Sequence, residues 1–253
     1  MPLLRRRRPL ESAVLVVLLV AGLLVIYDRL HNIFWPANPP PPVSVRVGGV
    51  KPPPPTPPPP PPLPAEPVVV MGAAMKGLPS ARVAVIEYSE FQCPWCGRFY
   101  RDTLGELTRQ YIDAGTVRLY FRHLPLGMHP FAEKAAEAAE CAGQSGKFWE
   151  MHNANFEHQD ALDLPSLFKR AKDLKLDLKT FTACLDGGKT ADKIKQDATG
   201  ANGLGFSGTP GFFFCTILPD GRVKVTQRFS GARPLKDFQT ALDTLLAVQV
   251  ASK

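Results

Sequence analysis

Between residues 68 and 253, short apolar runs alternate with longer stretches in which apolar residues recur at helical spacing. Val83–Tyr88 is apolar at nearly every position, which is typical of a buried strand. A helical pattern follows from Pro94 to about Tyr111, and a second strand pattern covers Thr116–Arg122. The order strand, helix, strand predicts a β-α-β unit.

Five further helical patterns follow, with turns at glycines between them. They cover Phe131–Ala142, Lys147–Phe156, Pro165–Leu174, Lys179–Leu185 and Thr190 to about Ala201. Strand patterns return at Gly211–Leu218 and Arg222–Phe229, joined by a Pro-Asp-Gly turn, before an amphipathic helix, Leu235–Val248. The pattern predicts an α/β domain whose sheet carries a helical insertion at about residues 130–204.

The first 35 residues combine a basic cluster with an apolar run. Arg5–Arg8 precede Ala13–Tyr27, and Asp28 and Arg29 follow. Fifteen apolar residues are short for a membrane span, which takes about 20. A tilted helix over residues 10–35, with its arginines reaching the interface, is long enough. We predict an uncleaved single-pass anchor in the inner membrane over residues 1–35, with the rest of the chain on the periplasmic side; the alternative is a cleaved signal peptide.

Residues 36–67 form a proline-rich linker that holds 17 of the chain's 27 prolines. Such tracts adopt polyproline II structure at about 3.1 Å per residue, so residues 52–64 alone can span roughly 40 Å. We predict a stiff stalk between the anchor and the domain. A docking site for a proline-recognising partner is the alternative.

The candidate chemistry lies at Cys93-Pro94-Trp95-Cys96, where the first strand of the domain passes into a helix. Unpaired backbone N–H groups and the positive end of the helix dipole favour a thiolate over a thiol at this position. The motif therefore predicts dithiol–disulfide chemistry.

Other classes of function have less support. The chain has a net charge of +7, but four of these charges belong to Arg5–Arg8, so the domain gives no support for nucleic-acid binding. No phosphate-binding loop or dinucleotide fingerprint occurs. The histidines at positions 123, 129, 152 and 158 show no spacing that converges on the two cysteines as a zinc site would. We interpret His129 as a helix-entry residue, with a place on the substrate face as the alternative.

Four short motifs of the domain together resemble one known family. They are Phe91–Cys96, Gly146–Trp149, Gly208–Pro210 and Phe229–Ala232. The set resembles the DsbA-like branch of the thioredoxin superfamily, the exported thiol:disulfide oxidoreductases of bacteria, over about residues 68–250. The resemblance implies an α/β, thioredoxin-like fold with a helical insertion over residues 68–253. The predicted transmembrane helix and proline-rich linker precede it.

Residue roles follow from this resemblance. It implies that Cys93 is the exposed nucleophile, that Cys96 is the buried resolving cysteine, and that Thr209-Pro210 is a cis peptide beside the disulfide. Thr209 and Pro210, with Pro94 and Trp95, are the expected substrate-binding residues. The resemblance implies no cofactor or metal beyond the redox-active disulfide Cys93–Cys96.

Glu87 lies six residues before Cys93 and on the same strand face as Val85. We predict a buried carboxyl with a raised pKa that exchanges a proton with Cys96. The family has an acidic residue at the matching position. The alternative is a strand-edge glutamate paired with a lysine.

Three cysteines lie outside the motif. Cys141 and Cys184 are 43 residues apart within the insertion, and in an oxidising compartment two such cysteines favour a structural disulfide. Some DsbA-like proteins resemble this arrangement. Two free core cysteines are the alternative. Cys215 shares a strand face with Phe213, so we expect a buried, unreactive thiol rather than a redox role.

We therefore predict a membrane-tethered thiol:disulfide oxidoreductase that donates a disulfide to exported proteins. A low pKa at Cys93 makes this residue a good leaving group and the protein an oxidant. The Pro-Trp pair lacks a hydrogen-bond donor that the family's strong oxidase has in its Pro-His pair, so we expect a weaker oxidant. The alternatives are a reductase or isomerase and a non-enzymatic binding module.

The predicted partners follow from this function. They are exported proteins with cysteines and a membrane redox partner that recycles the dithiol, with no nucleic acid. We expect a monomer, because a proline-rich stalk stands where the isomerases of the superfamily have a dimerisation domain.

Overall fold

The computed structural model describes residues 9–34 and 61–251 of the chain. The N-terminal range is one helix, α1 (Pro9–Phe34). Within the two described ranges, no helix is both long enough and apolar enough to cross a membrane. This finding contradicts the predicted inner-membrane location facing the periplasm, and the predicted single-pass anchor has no support in the described residues.

The length of the apolar run explains this correction. Ala13–Tyr27 has fifteen residues, which is about 22 Å of helix, whereas the hydrocarbon core of a bilayer is about 30 Å thick. Asp28 and Arg29 end the run before the helix itself ends. Arg5–Arg8 and residues 36–60 of the predicted linker lie outside the described residues, so the linker stays a prediction.

Residues 61–251 contain a five-stranded sheet in the order β1-β3-β2-β4-β5. The strands are β1 (Ala74–Lys76), β2 (Val83–Ser89), β3 (Val117–His123), β4 (Gly211–Ile217) and β5 (Val223–Ser230). Strands β2 and β3 are parallel and the other neighbouring pairs are antiparallel. The apolar patterns placed β2 to β5 to within one residue at each end. The three residues of β1 are too few to show an alternation.

A helix follows β2 and changes its winding along its length. It starts as α2 (Pro94–Phe99) and continues through two π-helical segments, Tyr100–Leu104 and Thr108–Ile112, which flank α3 (Gly105–Leu107). The sequence pattern predicted one regular helix here. Proline suits the first turn of α2, where its missing N–H has no partner to lose.

Five helices form the insertion between β3 and β4. They are α4 (Ala132–Gly143), α5 (Phe148–Glu157), α6 (Leu164–Asp173), α7 (Leu178–Asp186) and α8 (Ala191–Gly203). Asp163 caps α6 by accepting the Ser166 N–H at 3.0 Å, and Asp177 caps α7 by accepting the Thr180 N–H at 2.7 Å. The chain closes with α9 (Leu235–Ala251). The predicted α/β domain with a helical insertion is confirmed.

Alternate residues of the central strands face two separate cores. On one face, Val85 of β2 and Phe212 of β4 are buried with Phe238 of α9. On the other, Ile86 and Phe213 are buried with residues of α8 and the loop after it. Because both faces are covered, β2 is buried along its whole length.

Strand pairing brings distant parts of the chain together at one edge of the sheet. Strands β2 and β4 run antiparallel, with Tyr88 opposite Gly211. The end of β2 and the loop that follows it therefore lie beside the loop that precedes β4. This places Cys93 next to Thr209, 116 residues further along the chain.

Candidate active site

The two cysteines of the motif occupy the first turn of α2. Cys93 is the N-cap residue, with extended backbone (φ −66°, ψ 121°), and Pro94 follows at the first helical position. Cys96 lies within the first turn, and both cysteines are free thiols here. Cys93 is 3% exposed and Cys96 is fully buried. The expected exposed nucleophile is thus largely covered, because the loop before β4 lies against it.

The environment stabilises the thiolate of Cys93. A hydrogen bond from the Cys96 thiol is the largest influence, and Thr209 and the backbone N–H groups of Trp95 and Cys96 act in the same direction. Together they outweigh the cost of burial and lower the pKa of Cys93 from 9.0 to about 5. Cys93 is therefore charged at neutral pH.

Cys96 has the opposite tendency. Burial, together with the neighbouring Cys93, raises the pKa of Cys96 well above its ordinary value of 9.0. The pair is polarised, because one sulfur is held as a thiolate while the other keeps its proton and donates it in a hydrogen bond.

The loop before β4 covers the sulfur of Cys93. Its Thr209-Pro210 peptide bond is cis, as the family resemblance implied. When Cys93 is protonated, its thiol donates to the Thr209 carbonyl oxygen, with a sulfur–oxygen distance of 3.4 Å. The Pro210 carbonyl accepts the Gly231 N–H at 2.7 Å. A surface cavity of about 330 Å³ adjoins this loop and is lined by Thr209, Pro210 and Arg228 among others.

Glu87 lies on the central strand β2, between Phe121 of β3 and Phe212 of β4. It is fully buried, and neither carboxylate oxygen has a hydrogen bond of good geometry. Burial raises the pKa of Glu87 from 4.5 to about 8, although the Ser89 hydroxyl lowers it slightly. The same hydroxyl lowers the pKa of Cys96. Ser89, which sequence reasoning missed, therefore lies close to both the acid and the buried thiol.

A second buried carboxyl was also missed. Glu90 is fully buried and accepts the Gln92 N–H at 2.6 Å on one oxygen, while the other pairs with His129. Burial raises the pKa of Glu90, with a smaller contribution from the charge of Cys93. His129 is thus tied to the loop that carries the motif, whereas the sequence indicated an ordinary helix-entry residue.

Gln159, in the loop after α5, is a further residue that the sequence did not single out. Its side-chain N–H₂ group donates to the carbonyl oxygens of Phe91 at 2.7 Å and Cys93 at 2.9 Å. No motif signals this contact, because it depends on how the insertion docks onto the sheet.

The outer surface around the motif is apolar. Trp95 is 55% exposed, with its ring 5.7 Å from the Arg98 guanidinium, and Pro94 is exposed beside it. Met128 and Phe131 are also exposed. The Phe131 N–H donates to the Gln92 side chain at 2.8 Å, which holds this loop next to the motif.

The remaining three cysteines lie outside the motif in the sequence. Cys141 of α4 and Cys184 of α7 form a disulfide with a Cα–Cα distance of 5.8 Å. Cys215 is fully buried in β4, and burial raises the pKa of its thiol. The part of the chain that the structure describes has no cluster of three or more ligating side chains that could hold a metal ion.

Comparison with known proteins gives a family match and several structural relatives. The family model described as thioredoxin matches residues 71–224. Alpha-DsbA1 of Wolbachia pipientis is 28% identical with a TM-score of 0.65, covering 73% of this chain and 96% of that structure. A thioredoxin-like oxidoreductase from Silicibacter pomeroyi is 27% identical with a TM-score of 0.56, covering 68% of this chain and 91% of that one.

Curated relatives bear a different name. Na(+)/H(+) antiporter NhaA 3 of Salinispora tropica is 43% identical over 140 residues, which is 55% of this chain and 21% of that protein. NhaA 1 of Salinispora arenicola is 42% identical over the same length and the same shares. The chain therefore spans about a fifth of the length of these relatives.

Proposed function

We propose that this chain, which belongs to the thioredoxin family and carries a DsbA-like thiol:disulfide oxidoreductase domain, donates a disulfide to pairs of thiols in exported proteins. The polarised thiol pair is the observation that carries the proposal. Cys93 is stabilised as a thiolate and Cys96 as a thiol. Stabilising the dithiol form in this way makes the disulfide form a stronger oxidant.

The reaction starts from the Cys93–Cys96 disulfide. A substrate thiolate attacks the Cys93 sulfur, a mixed disulfide forms, and the electron pair of the broken S–S bond goes to Cys96. A second substrate thiolate then attacks the substrate sulfur of the mixed disulfide, and Cys93 leaves as a thiolate. The substrate loses two electrons and the Cys93–Cys96 pair gains them. The low pKa of Cys93 makes the second step favourable.

Glu87 supplies the proton in the first step. A Cys96 thiolate is unfavourable because its pKa lies well above 9.0. The carboxyl of Glu87, with a pKa of about 8, is protonated at neutral pH, and the Ser89 hydroxyl lies near both groups. Transfer of this proton toward Cys96 as the disulfide opens avoids a buried thiolate.

Thr209, Pro210, Pro94 and Trp95 form the surface that receives the substrate chain. The Thr209 carbonyl lies next to the Cys93 sulfur, and Pro210 has no N–H that competes for backbone pairing. Exposed Trp95 and Pro94 supply apolar contact area beside the reacting sulfur. This surface fits an extended, partly unfolded polypeptide.

The partners are defined by chemistry. The reduced pair needs an oxidant that accepts two electrons, and a membrane redox protein is the proposed one. Exported substrates agree with the Cys141–Cys184 disulfide, because such bonds persist in oxidising compartments. The antiport named for the curated relatives belongs to proteins about five times as long as the matched stretch. The monomeric state stays a prediction.

The reduction potential of Cys93–Cys96 tests the direction of the reaction. The full chain is equilibrated with graded glutathione redox buffers, and the free thiols of these two residues are counted after alkylation, with Cys96→Ala as the control. A value of about −120 to −180 mV is expected for a disulfide donor. A value near −270 mV is that of a reductase and contradicts the proposal.

A further inference from the structure

Gln159 connects the helical insertion to the reacting turn. It is half-buried in the loop between α5 and α6, 66 residues after Cys93. Both side-chain N–H bonds are used on the same turn, one on the Phe91 carbonyl at 2.7 Å and one on the Cys93 carbonyl at 2.9 Å. Arg101 approaches the Gln159 carbonyl oxygen at 3.5 Å, which supports this orientation of the amide.

The Cys93 carbonyl oxygen accepts two donors. It already accepts the Gly97 N–H at 3.0 Å, as expected for the N-cap residue of a helix. The second donor therefore adds to a bond that the helix makes by itself. The two donors hold the backbone of Cys93 from the helix side and from the insertion side.

Gly97 gives an independent sign that this contact matters. A Cβ atom built on Gly97 would lie 1.8 Å from the Gln159 side-chain oxygen and 2.6 Å from its amide carbon. The backbone of Gly97 is ordinary helix, so conformational freedom does not require glycine here. The absence of a side chain at position 97 leaves the space that the Gln159 amide occupies.

We propose that Gln159 is a positioning residue, which holds the backbone of Phe91 and Cys93 so that the Cys93 sulfur stays at the amide-rich start of α2. The inference rests on the proposed role of Cys93. It assigns to the helical insertion a direct part in tuning the dithiol, beyond covering the sheet.

The electrostatic consequence has a definite sign. Two carbonyl oxygens lie on the turn that carries the thiolate, and their negative ends oppose a negative sulfur nearby. The two N–H groups of the Gln159 amide donate to these oxygens and offset their partial negative charge. Loss of the amide is expected to raise the pKa of Cys93 by about one unit, which is about a tenfold loss of thiolate stabilisation. The dithiol form is then less favoured and the protein is a weaker oxidant.

The experiment uses the full chain and four variants. They are Gln159→Ala, Gly97→Ala, the double variant Gly97→Ala/Gln159→Ala, and Gln144→Ala as a matched control. Gln144 is an exposed glutamine of the same insertion. Thiolate absorbance at 240 nm is followed against pH in the reduced proteins, and the equilibrium with glutathione is measured for Cys93 and Cys96. Thermal unfolding of each variant reports its effect on the fold separately.

The expected pattern is non-additive. Gln159→Ala should raise the pKa of Cys93 and shift the glutathione equilibrium up to tenfold, and Gly97→Ala should do the same because its methyl group displaces the amide. The double variant should match Gln159→Ala alone, and Gln144→Ala should match the unaltered chain. Equal titration curves for Gln159→Ala and the unaltered chain would overturn the proposal. If the pKa of Cys93 were higher in the double variant than in Gln159→Ala, Gly97→Ala would act by some route other than displacing the Gln159 amide, which contradicts the proposal.

Two controls keep the test decisive. Gln159→Met retains the size of the side chain without its donors and without adding a charge, so it should also raise the pKa of Cys93 if the alanine variant is too unstable to titrate. Cys93→Ala should abolish the absorbance change below pH 8. If that change persists without Cys93, the proposed function of Cys93 fails, whereas an unaltered titration in Gln159→Ala affects the positioning role alone.

Discussion

The two cysteine pairs of this domain are both buried, but they are built for opposite chemistry. Cys93 and Cys96 are separated by two residues at the start of one helix and are free thiols. Cys141 and Cys184 are separated by 43 residues, lie on two different helices of the insertion, and are bonded to each other. Burial therefore does not decide which pair reacts.

Hydrogen bonding and protonation make the difference. The pair at the start of α2 has backbone N–H groups that stabilise one sulfur as a thiolate, and a buried acid lies near the other. Cys141 and Cys184 lie near the C-terminal ends of α4 and α7, where the helix N–H groups are already paired. The start of a helix polarises a thiol pair, whereas the last turns of two helices offer no free N–H groups and leave the pair to act as a cross-link.

The largest expected difference between the pairs is in catalysis. Cys93→Ala removes the Cys93–Cys96 disulfide that accepts the two electrons, so oxidation of a peptide with two cysteines should fall to the background rate, on the order of 1000-fold or more below that of the unaltered chain. Cys141→Ala/Cys184→Ala should keep most of the rate, as should Cys215→Ala. The rates are measured by fluorescence with the oxidised full chain in excess. A similar loss of rate in Cys141→Ala/Cys184→Ala would mean that the two pairs do not differ in catalysis.

The second difference concerns stability. The disulfide closes a loop of 43 residues, which corresponds to roughly 3–4 kcal/mol in the chain-entropy model. We expect Cys141→Ala/Cys184→Ala to lower the free energy of unfolding by about this amount in urea titrations of the full chain. An unchanged midpoint and slope would show that this bond adds nothing to stability.

A third difference is expected in the pH dependence of stability. The folded pKa of Cys93, about 5, is below its ordinary value of 9.0, so its stabilisation of the reduced form is full above pH 9 and is lost as pH falls through 5. At pH 7, two units above the folded pKa, it amounts to roughly 3 kcal/mol.

The measurement compares two reduced proteins by urea unfolding between pH 4.5 and 9. Both proteins carry Cys141→Ala/Cys184→Ala, so that the reductant acts only on Cys93 and Cys96. One of the two also carries Cys93→Ala. The gap between their unfolding free energies should widen as pH rises. A gap that is constant with pH means that Cys93 is not held as a thiolate.

A fourth difference concerns Glu87, an acid that shares the Ser89 hydroxyl as a neighbour with Cys96 of the reactive pair. The pKa of Glu87 is about 8 in the folded chain, against an ordinary value of 4.5. Burying this carboxyl therefore costs no stability below pH 4.5, where it is protonated in both states, and lowers the free energy of unfolding increasingly as pH rises toward 8. Glu87→Gln should therefore stabilise the chain by roughly 2–3 kcal/mol at pH 7 and by little at pH 4. The same variant should slow disulfide exchange. Equal stability gains at both pH values would mean that the pKa of Glu87 is the same in the folded and unfolded chain, so that burial does not raise it.

The smallest expected effect is at Trp95. Its ring points outward beside Arg98 and donates nothing to the sulfur. Trp95→His introduces a donor between the two cysteines and should lower the pKa of Cys93 by less than one unit, with less than a tenfold change in the glutathione equilibrium. Titration at 240 nm measures the change. A rise in the pKa would contradict the expectation of a weaker oxidant for the Pro-Trp motif.

The fold and the reactive turn were largely predictable because their signals are local. Strand runs such as Val83–Tyr88, the helical spacing of the insertion and the position of Cys93-Pro94-Trp95-Cys96 depend on periodicity and on a few residue types. The anchor prediction is the exception. The charged and apolar pattern correctly predicted a helix at α1, but within the described residues no helix is long enough and apolar enough to cross a membrane.

What the tertiary structure decided is the surroundings of the sulfurs. The residue pattern determined the order of β2 to β5 and of the helices, and the strand-to-helix position of the motif, because each follows from spacing along the chain. For Glu87 the pattern left burial and a strand-edge position open, and the packing of both sheet faces decided for burial. Folding alone brought three further groups into the site. They are Ser89, the pair Glu90 and His129, and Gln159, which fills the space beside Gly97. Their contacts join residues up to 68 positions apart, and such contacts depend on how the insertion packs against the end of β2, which no local pattern encodes.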